Sequence, residues 1–246
     1  MSSGQAVESW QDYRRSGKLA LEQGNYVEAE RSWLQALAEA KRFGTDNPRR
    51  IRSLLDLATL YQSQGRYPDA QPLYLEALEI SEKTAGQDNS KLAVILNNLG
   101  TNYSAQRRHW DAEVTYRRAL SIAFNAYGPY HASVATAVNN MAELYREQGR
   151  YGQAEPLYRY ALAIYEFLDP SSPSVANVLT NLVILNCCLG NDVEAMALLK
   201  RALALEKPGS NQPLFQELRL NYEVLLKRTR SRRFWHRLKK MFNPEA

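Results

Sequence analysis

An all-α fold built as a right-handed solenoid of about five helix pairs is what this sequence predicts. Two observations carry the prediction. One segment recurs along the chain: SGKLALEQGNYVEAERSWLQALAEAKR from Ser16, LATLYQSQGRYPDAQPLYLEALEISEK from Leu57, LGTNYSAQRRHWDAEVTYRRALSIAFN from Leu99, MAELYREQGRYGQAEPLYRYALAIYEF from Met141 and a more degenerate copy from Leu182. Within each copy, small and bulky residues fall at fixed helical spacings. A unit this short cannot bury its own apolar face, so neighbouring copies must stack.

Each element follows from those spacings. The first helix of a unit sets a small residue three before a Tyr: Ala58 and Tyr61, Gly100 and Tyr103, Ala142 and Tyr145. A turn with Gly follows at Gly24, Gly65, Gly149 and Gly190, where a left-handed residue ends a helix. The second helix opens with Ala four before a large side chain: Ala29 and Trp33, Ala70 and Tyr74, Ala112 and Tyr116, Ala154 and Tyr158, Ala195 and Leu199. Small residues let helices approach, and the bulky neighbour fills the space beside them. Arg107 stands where the other copies have Gly, which predicts a third turn of different shape. In the fifth copy Val183 and Asn186 replace the small residue and the Tyr, as expected near the end of a stack.

The order of small, aromatic and Ala positions resembles the tetratricopeptide (TPR) repeat, at a period longer than its usual 34 residues. The longer helices, the turn-rich connectors FGTDNPR, AGQDNSK, YGPYHAS and LDPSSPS, and NNLG and NNMA in the first helices resemble the kinesin-light-chain-like branch. The resemblance implies a fold and a binding role, and implies nothing about kinesin. The expected organisation is an N-terminal extension at 1–9, the solenoid at 10–206, a capping helix at 207–227 and a basic amphipathic tail at 228–246.

In a stack of this kind the first helices line a concave groove. Taking Gly100 and Ala142 as facing the partner helix, the groove stripe runs through Leu55, Asn97, Asn139 and Thr180. It continues through Thr59, Thr101, Glu143 and Ile184, then Gln62, Ser104, Arg146 and Cys187. One turn earlier lie Arg52, Val94, Thr136 and Asn177. Asn is a poor helix former, so its return at 97 and 139 asks for a reason. A side-chain amide both donates and accepts, which suits the backbone of an extended peptide. In the family this sequence resembles, groove-facing Asn residues do that, and Asn97 and Asn139 match the position. The candidate peptide site is therefore Arg52, Asn97, Thr101, Asn139, Glu143, Arg146 and Asn177. Asn98, Asn140 and Asn181, one residue on, are expected to tie neighbouring helices together.

Charge separates the two ends of the chain. Of 31 Lys and Arg, eight lie in 227–240 with no Asp or Glu among them. The other 23 face 26 acidic residues, a net charge of −3. Basicity thus belongs to the tail rather than to the repeats. Phe234, Trp235, Leu238, Met241 and Phe242 form one apolar stripe at helical spacing, flanked by Arg232, Arg233, Arg237, Lys239 and Lys240. This pattern suits an anionic membrane surface or an acidic protein partner. A nucleic-acid-associated regulator using the same tail is the alternative.

No chemistry is visible. His109, His131 and His236 stand far apart, and no phosphate loop, metal-ligand pattern or catalytic constellation occurs. The expectation is no enzyme, no cofactor and no metal. Cys187 and Cys188 are adjacent, which disfavours a disulfide between them and suits a reducing compartment. With no secretory h-region and no apolar run of membrane-spanning length, the expected location is cytoplasmic, peripheral on a membrane face through the tail.

Overall fold

The computed structural model describes residues 9–44, 46–84 and 90–205, together with 216, 220, 223, 224, 226 and 227. Among these residues there are ten helices and no strand. They are α1 (Trp10–Glu22), α2 (Tyr26–Lys41), α3 (Pro48–Ser63), α4 (Tyr67–Thr84) and α5 (Ser90–Ala105), then α6 (His109–Tyr127), α7 (Ala132–Glu147), α8 (Tyr151–Leu168), α9 (Pro173–Leu189) and α10 (Asp192–Leu203). The expected capping helix and tail lie outside the continuously described residues.

Helices α1, α2, α3 and α7 begin where a side chain offers an acceptor for orphan N–H groups. Ser9 and Asp12 form a reciprocal capping box at α1. Asn25 and Asn47 accept from Glu28 and Arg49 at α2 and α3, and Pro48 occupies the first turn of α3. At α7 the cap is His131, whose Nδ1 accepts from the Ser133 amide at 3.1 Å.

The contacts divide the chain into two compact units, Met1–Gly128 and Pro129–Ala246. In the first, α1 packs on α2, α3 on α4 and α5 on α6, while α2 meets α3 and α4 meets α5. In the second, α7 packs on α8, α8 on α9 and α9 on α10. The repeat pattern accounts for both cores. Ala29, Ala58, Ala70, Ala112, Ala142, Ala154 and Ala195 are fully buried, as are Tyr74 and Tyr158. A Cβ on Gly17 would stand 2.4 Å from the Trp33 ring, and one on Gly100 would stand 2.5 Å from the Tyr116 ring. At those two sites the small residue is required by the neighbouring aromatic.

The turns are alike, and here one expectation needs correcting. Gly65 N–H donates to Gln62 O at 3.0 Å and Arg66 N–H to Tyr61 O at 2.8 Å. At the third turn Arg107 N–H donates to Ser104 O at 2.8 Å and Arg108 N–H to Tyr103 O at 2.9 Å. The turn keeps its shape because Arg107 itself adopts φ +59°, in the same left-handed region as the φ of +72° to +76° at Gly24, Gly65, Gly149 and Gly190. The following residue secures the turn: Arg66 lies 4.0 Å over Tyr61, Arg108 4.4 Å over Tyr103 and Arg150 4.1 Å over Tyr145.

Candidate binding face of the first helices

A first helix uses one side to meet its second helix and another to meet the first helix of the next copy. The polar register that includes Asn97 and Asn139 shows which side it serves. In α1 the equivalent residue is Arg14, whose Nε donates to Asp56 of α3. In α7 it is Asn139, whose Oδ1 accepts from Asn181 Nδ2 of α9 at 3.1 Å. Asp56 and Asn181 occupy one repeat position, so an ion pair and an amide pair make the same tie between successive first helices.

This corrects the reading of Asn97. It is 5% exposed, and its Oδ1 is buried without a hydrogen-bond partner. A buried amide cannot meet a peptide on an open face; the register points sideways, toward neighbouring helices. Asn139 is half-buried, and its carbonyl oxygen is already used by Asn181. Asn181 ties helices as expected, while Asn98, half-buried, is more open than Asn97.

The remaining candidates spread over the two units. In the first unit Arg52 and Thr59 are exposed on α3, and Val94 is 50% exposed on α5. Thr101 is half-buried; its hydroxyl donates to the Asn97 carbonyl at 3.1 Å and accepts from the Tyr116 hydroxyl at 3.0 Å. Thr59 makes the matching bond to Tyr74, whose phenol is raised above its ordinary range by burial and lowered in part by that bond. A Thr on the first helix thus satisfies the buried Tyr hydroxyl of the second.

The second unit departs from this at α7. Glu143 stands at the Thr position and Arg146 one turn on, with an Nη2–Oε1 separation of 3.7 Å. The Tyr158 hydroxyl faces the Arg146 guanidinium. Neither that hydroxyl nor Arg146 Nε has a hydrogen-bond partner of good geometry. Burial pushes the Tyr158 phenol far above its ordinary range. Burial also raises the Glu143 carboxyl; Arg146 opposes the shift and Glu147 adds to it. On the same side of α7, Thr136 and the Tyr165 hydroxyl share a bond of 2.8 Å. On α9, Asn177 is exposed and Ile184 is 40% exposed.

The arrangement offers exposed polar and aliphatic side chains over a buried layer of hydroxyl, amide and ion-pair contacts. It presents hydrogen-bonding surface. Among the described residues no cluster of His, Cys, Asp and Glu is placed to hold a metal ion, and no helix is long and apolar enough to cross a membrane. Cys187 is half-buried and Cys188 exposed, and neither is in a disulfide. The tail candidates Arg232, Arg233, Phe234, Trp235, Arg237, Leu238, Lys239, Lys240, Met241 and Phe242 lie outside the described residues. Sequence reasoning missed the tie of Arg14 to Asp56 and the Arg66, Arg108 and Arg150 stacks. The recurrence of Arg just after three of the turns was the available signal for the latter.

The tetratricopeptide repeat profile matches residues 13–83, 57–125, 92–166 and 133–207. Among solved structures, BtubC (BKLC) from P. vanneervenii is 27% identical, with a TM-score of 0.72 over 82% of this chain and 83% of that one. A kinesin-light-chain-type protein of TPR-like repeats from Podosopora anserina is 23% identical, with a TM-score of 0.65 over 81% and 97%. A Rap protein complexed with Competence and Sporulation Factor is 18% identical, with a TM-score of 0.76 over 90% and 61%.

Proposed function

The chain belongs to the tetratricopeptide repeat family, and from that premise we propose that it is a non-enzymatic adaptor or assembly scaffold. The exposed face of the first helices holds a peptide or protein subunit, and the basic tail attaches the chain to an anionic membrane surface. The observation that carries the reading is the division within the first helices. Asn97 and the ties of Arg14 and Asn139 are spent on the stack, while Arg52, Thr59, Val94, Asn177 and Ile184 stay open beside them. Repeat proteins of this kind use the faces of their first helices for binding. The Rap protein, complexed with its factor, shows the same fold holding a ligand. The contact set proposed for this chain is Arg52, Thr101, Glu143, Arg146 and Asn177, with Asn97 and Asn139 removed.

Photo-crosslinking residues placed at Val94 and Ile184 test the face, with Val193 on the outside of α10 as the control. Discrete adducts from the first two positions and not from the third are expected; equal labelling from all three refutes the assignment. Flotation with phosphatidylserine-containing vesicles tests the tail. Full-length protein is expected to float with them and not with phosphatidylcholine alone, and Trp235→Ser is expected to weaken flotation. Flotation unaffected by Trp235→Ser and independent of lipid charge excludes the membrane reading.

A further inference from the structure

In the first copy the tie between first and second helix is made differently, and a pocket opens beside it. In the next two copies a Thr of the first helix satisfies the Tyr hydroxyl of the second: Thr59 for Tyr74 and Thr101 for Tyr116. Gly17 meets Trp33 as Gly100 meets Tyr116, so Lys18 holds the Thr101 position and Trp33 the Tyr116 position. An indole has no hydroxyl, and its N–H can only donate, as a Lys ammonium can only donate. The Trp33 Nε1–H is spent on the Arg14 carbonyl at 3.3 Å. Lys18 therefore finds no acceptor on the ring below it. Its head stays outside the stack, 3.7 Å from the Glu22 carboxylate, with both side chains more than half exposed.

Between α1, Trp33 of α2 and Asp56 of α3 lies a pocket of about 330 Å³. That is the lower end of the range, about 300–1,000 Å³, in which small-molecule sites fall. Its lining divides by chemistry. Trp10 and Trp33 supply apolar surface. Trp33 is buried, and Trp10 is fixed by an Nε1–H bond to Ser53 Oγ at 2.8 Å and by Arg14 5.0 Å over its ring. Arg14 and Asp56 neutralise each other within the lining. Arg15 and Lys18 remain; three residues apart on α1, they share a side of the helix. Arg15 is exposed and forms no ion pair among the described residues. Asp12 and Glu22, whose charges reach these two cations, do not line the pocket. Two indoles beside two cations, with Asp56 already spent on Arg14, select an anion that carries an apolar body. A cationic ligand is repelled there, and a neutral one gives Arg15 and Lys18 nothing to bind.

We propose that this pocket binds a small organic anion, its apolar body against Trp10 and Trp33 and its carboxylate or phosphate held by Arg15 and Lys18. None of the residues proposed to contact the peptide or subunit lines it, so the two assignments are tested separately. The chain has four Trp, which makes the indole N–H signals of the full-length, nitrogen-15-labelled protein a direct readout once single Trp→Phe variants assign them. Trp110, 76% exposed on α6, is the internal control. Benzoate and phenyl phosphate are the probes, at constant ionic strength. Inorganic phosphate carries the charge without the body, and benzyl alcohol the body without the charge. Benzoate or phenyl phosphate is expected to shift the Trp10 and Trp33 signals saturably by about 10 mM, within reach of a ligand this small, and to leave Trp110 in place. The tighter of the two identifies the anionic group. Lys18→Gln and Arg15→Gln are each expected to raise the dissociation constant about fivefold or more, the loss typical of a partly exposed charged contact. Both changes keep a good or fair helix former at an exposed position, so the unliganded Trp33 signal should stay where it is in the parent. The proposal is overturned if neither probe gives a saturable shift at Trp10 and Trp33. It is equally overturned if inorganic phosphate or benzyl alcohol alone acts as strongly, or if both substitutions leave binding unchanged.

Discussion

Replacing Arg107 by Gly should stabilise this protein, although it removes a side chain and a charge. Arg107 holds φ +59° at a turn where the other copies use Gly. For an L-residue with a Cβ the left-handed region costs about 1–2 kcal/mol. Glycine avoids that cost but gives back about 0.5–1 kcal/mol through the greater freedom of the unfolded chain. The side chain is exposed and makes no ion pair among the described residues, so little else is lost. The net expectation is a gain of about 0.5–1 kcal/mol, or about 1–4 °C in the thermal midpoint for a chain of this size. The reverse substitution, Gly149→Arg, imposes the same strain at φ +72° and should lower the midpoint by a similar amount. Differential scanning fluorimetry on both variants provides the measurement. If Arg107→Gly lowers the midpoint, or Gly149→Arg leaves it untouched, the strain argument fails.

Two other outcomes follow from the packing and the electrostatics. Gly100→Ala should destabilise by about 1–2 kcal/mol in urea unfolding, because its Cβ would stand 2.5 Å from the Tyr116 ring, which its bond to Thr101 holds in place; overpacking of this kind outweighs the gain in helix propensity. Burial raises the Glu143 carboxyl, so folding takes up a proton there: the neutral form favours the native state, and stability falls as pH rises from the ordinary glutamate range through the raised value. Glu143→Gln should flatten that part of the profile, and an unchanged pH dependence would exclude Glu143 as its source.

The fold was legible because a repeat states each constraint several times. One Ala four before one aromatic residue is weak evidence; the pairs at 29 and 33, 70 and 74, 112 and 116, and 154 and 158 leave one reading, and all eight side chains are buried. The third turn was misread because composition was taken for conformation. Arg107 lacks the freedom of Gly, but two turn hydrogen bonds and the Arg108–Tyr103 stack hold its backbone left-handed. Asn97 was misread for a related reason. Helical spacing places a residue on a side of its own helix, but not what lies against that side. The partner of the register is set by the next copy: Asp56 for Arg14, Asn181 for Asn139. Those partners were in the sequence one repeat and one residue further on, visible only to a reading that pairs copies rather than superposing them. The same reasoning locates the variable surface. Where copies must meet, the ion pair of one interface and the amide pair of another keep one geometry. Where nothing in the repeat meets a side chain, as at Val94, Ile184, Val27 and Trp110, identity is free to follow a partner. It is at those positions, rather than at the recurring Asn, that ligand choice is to be sought.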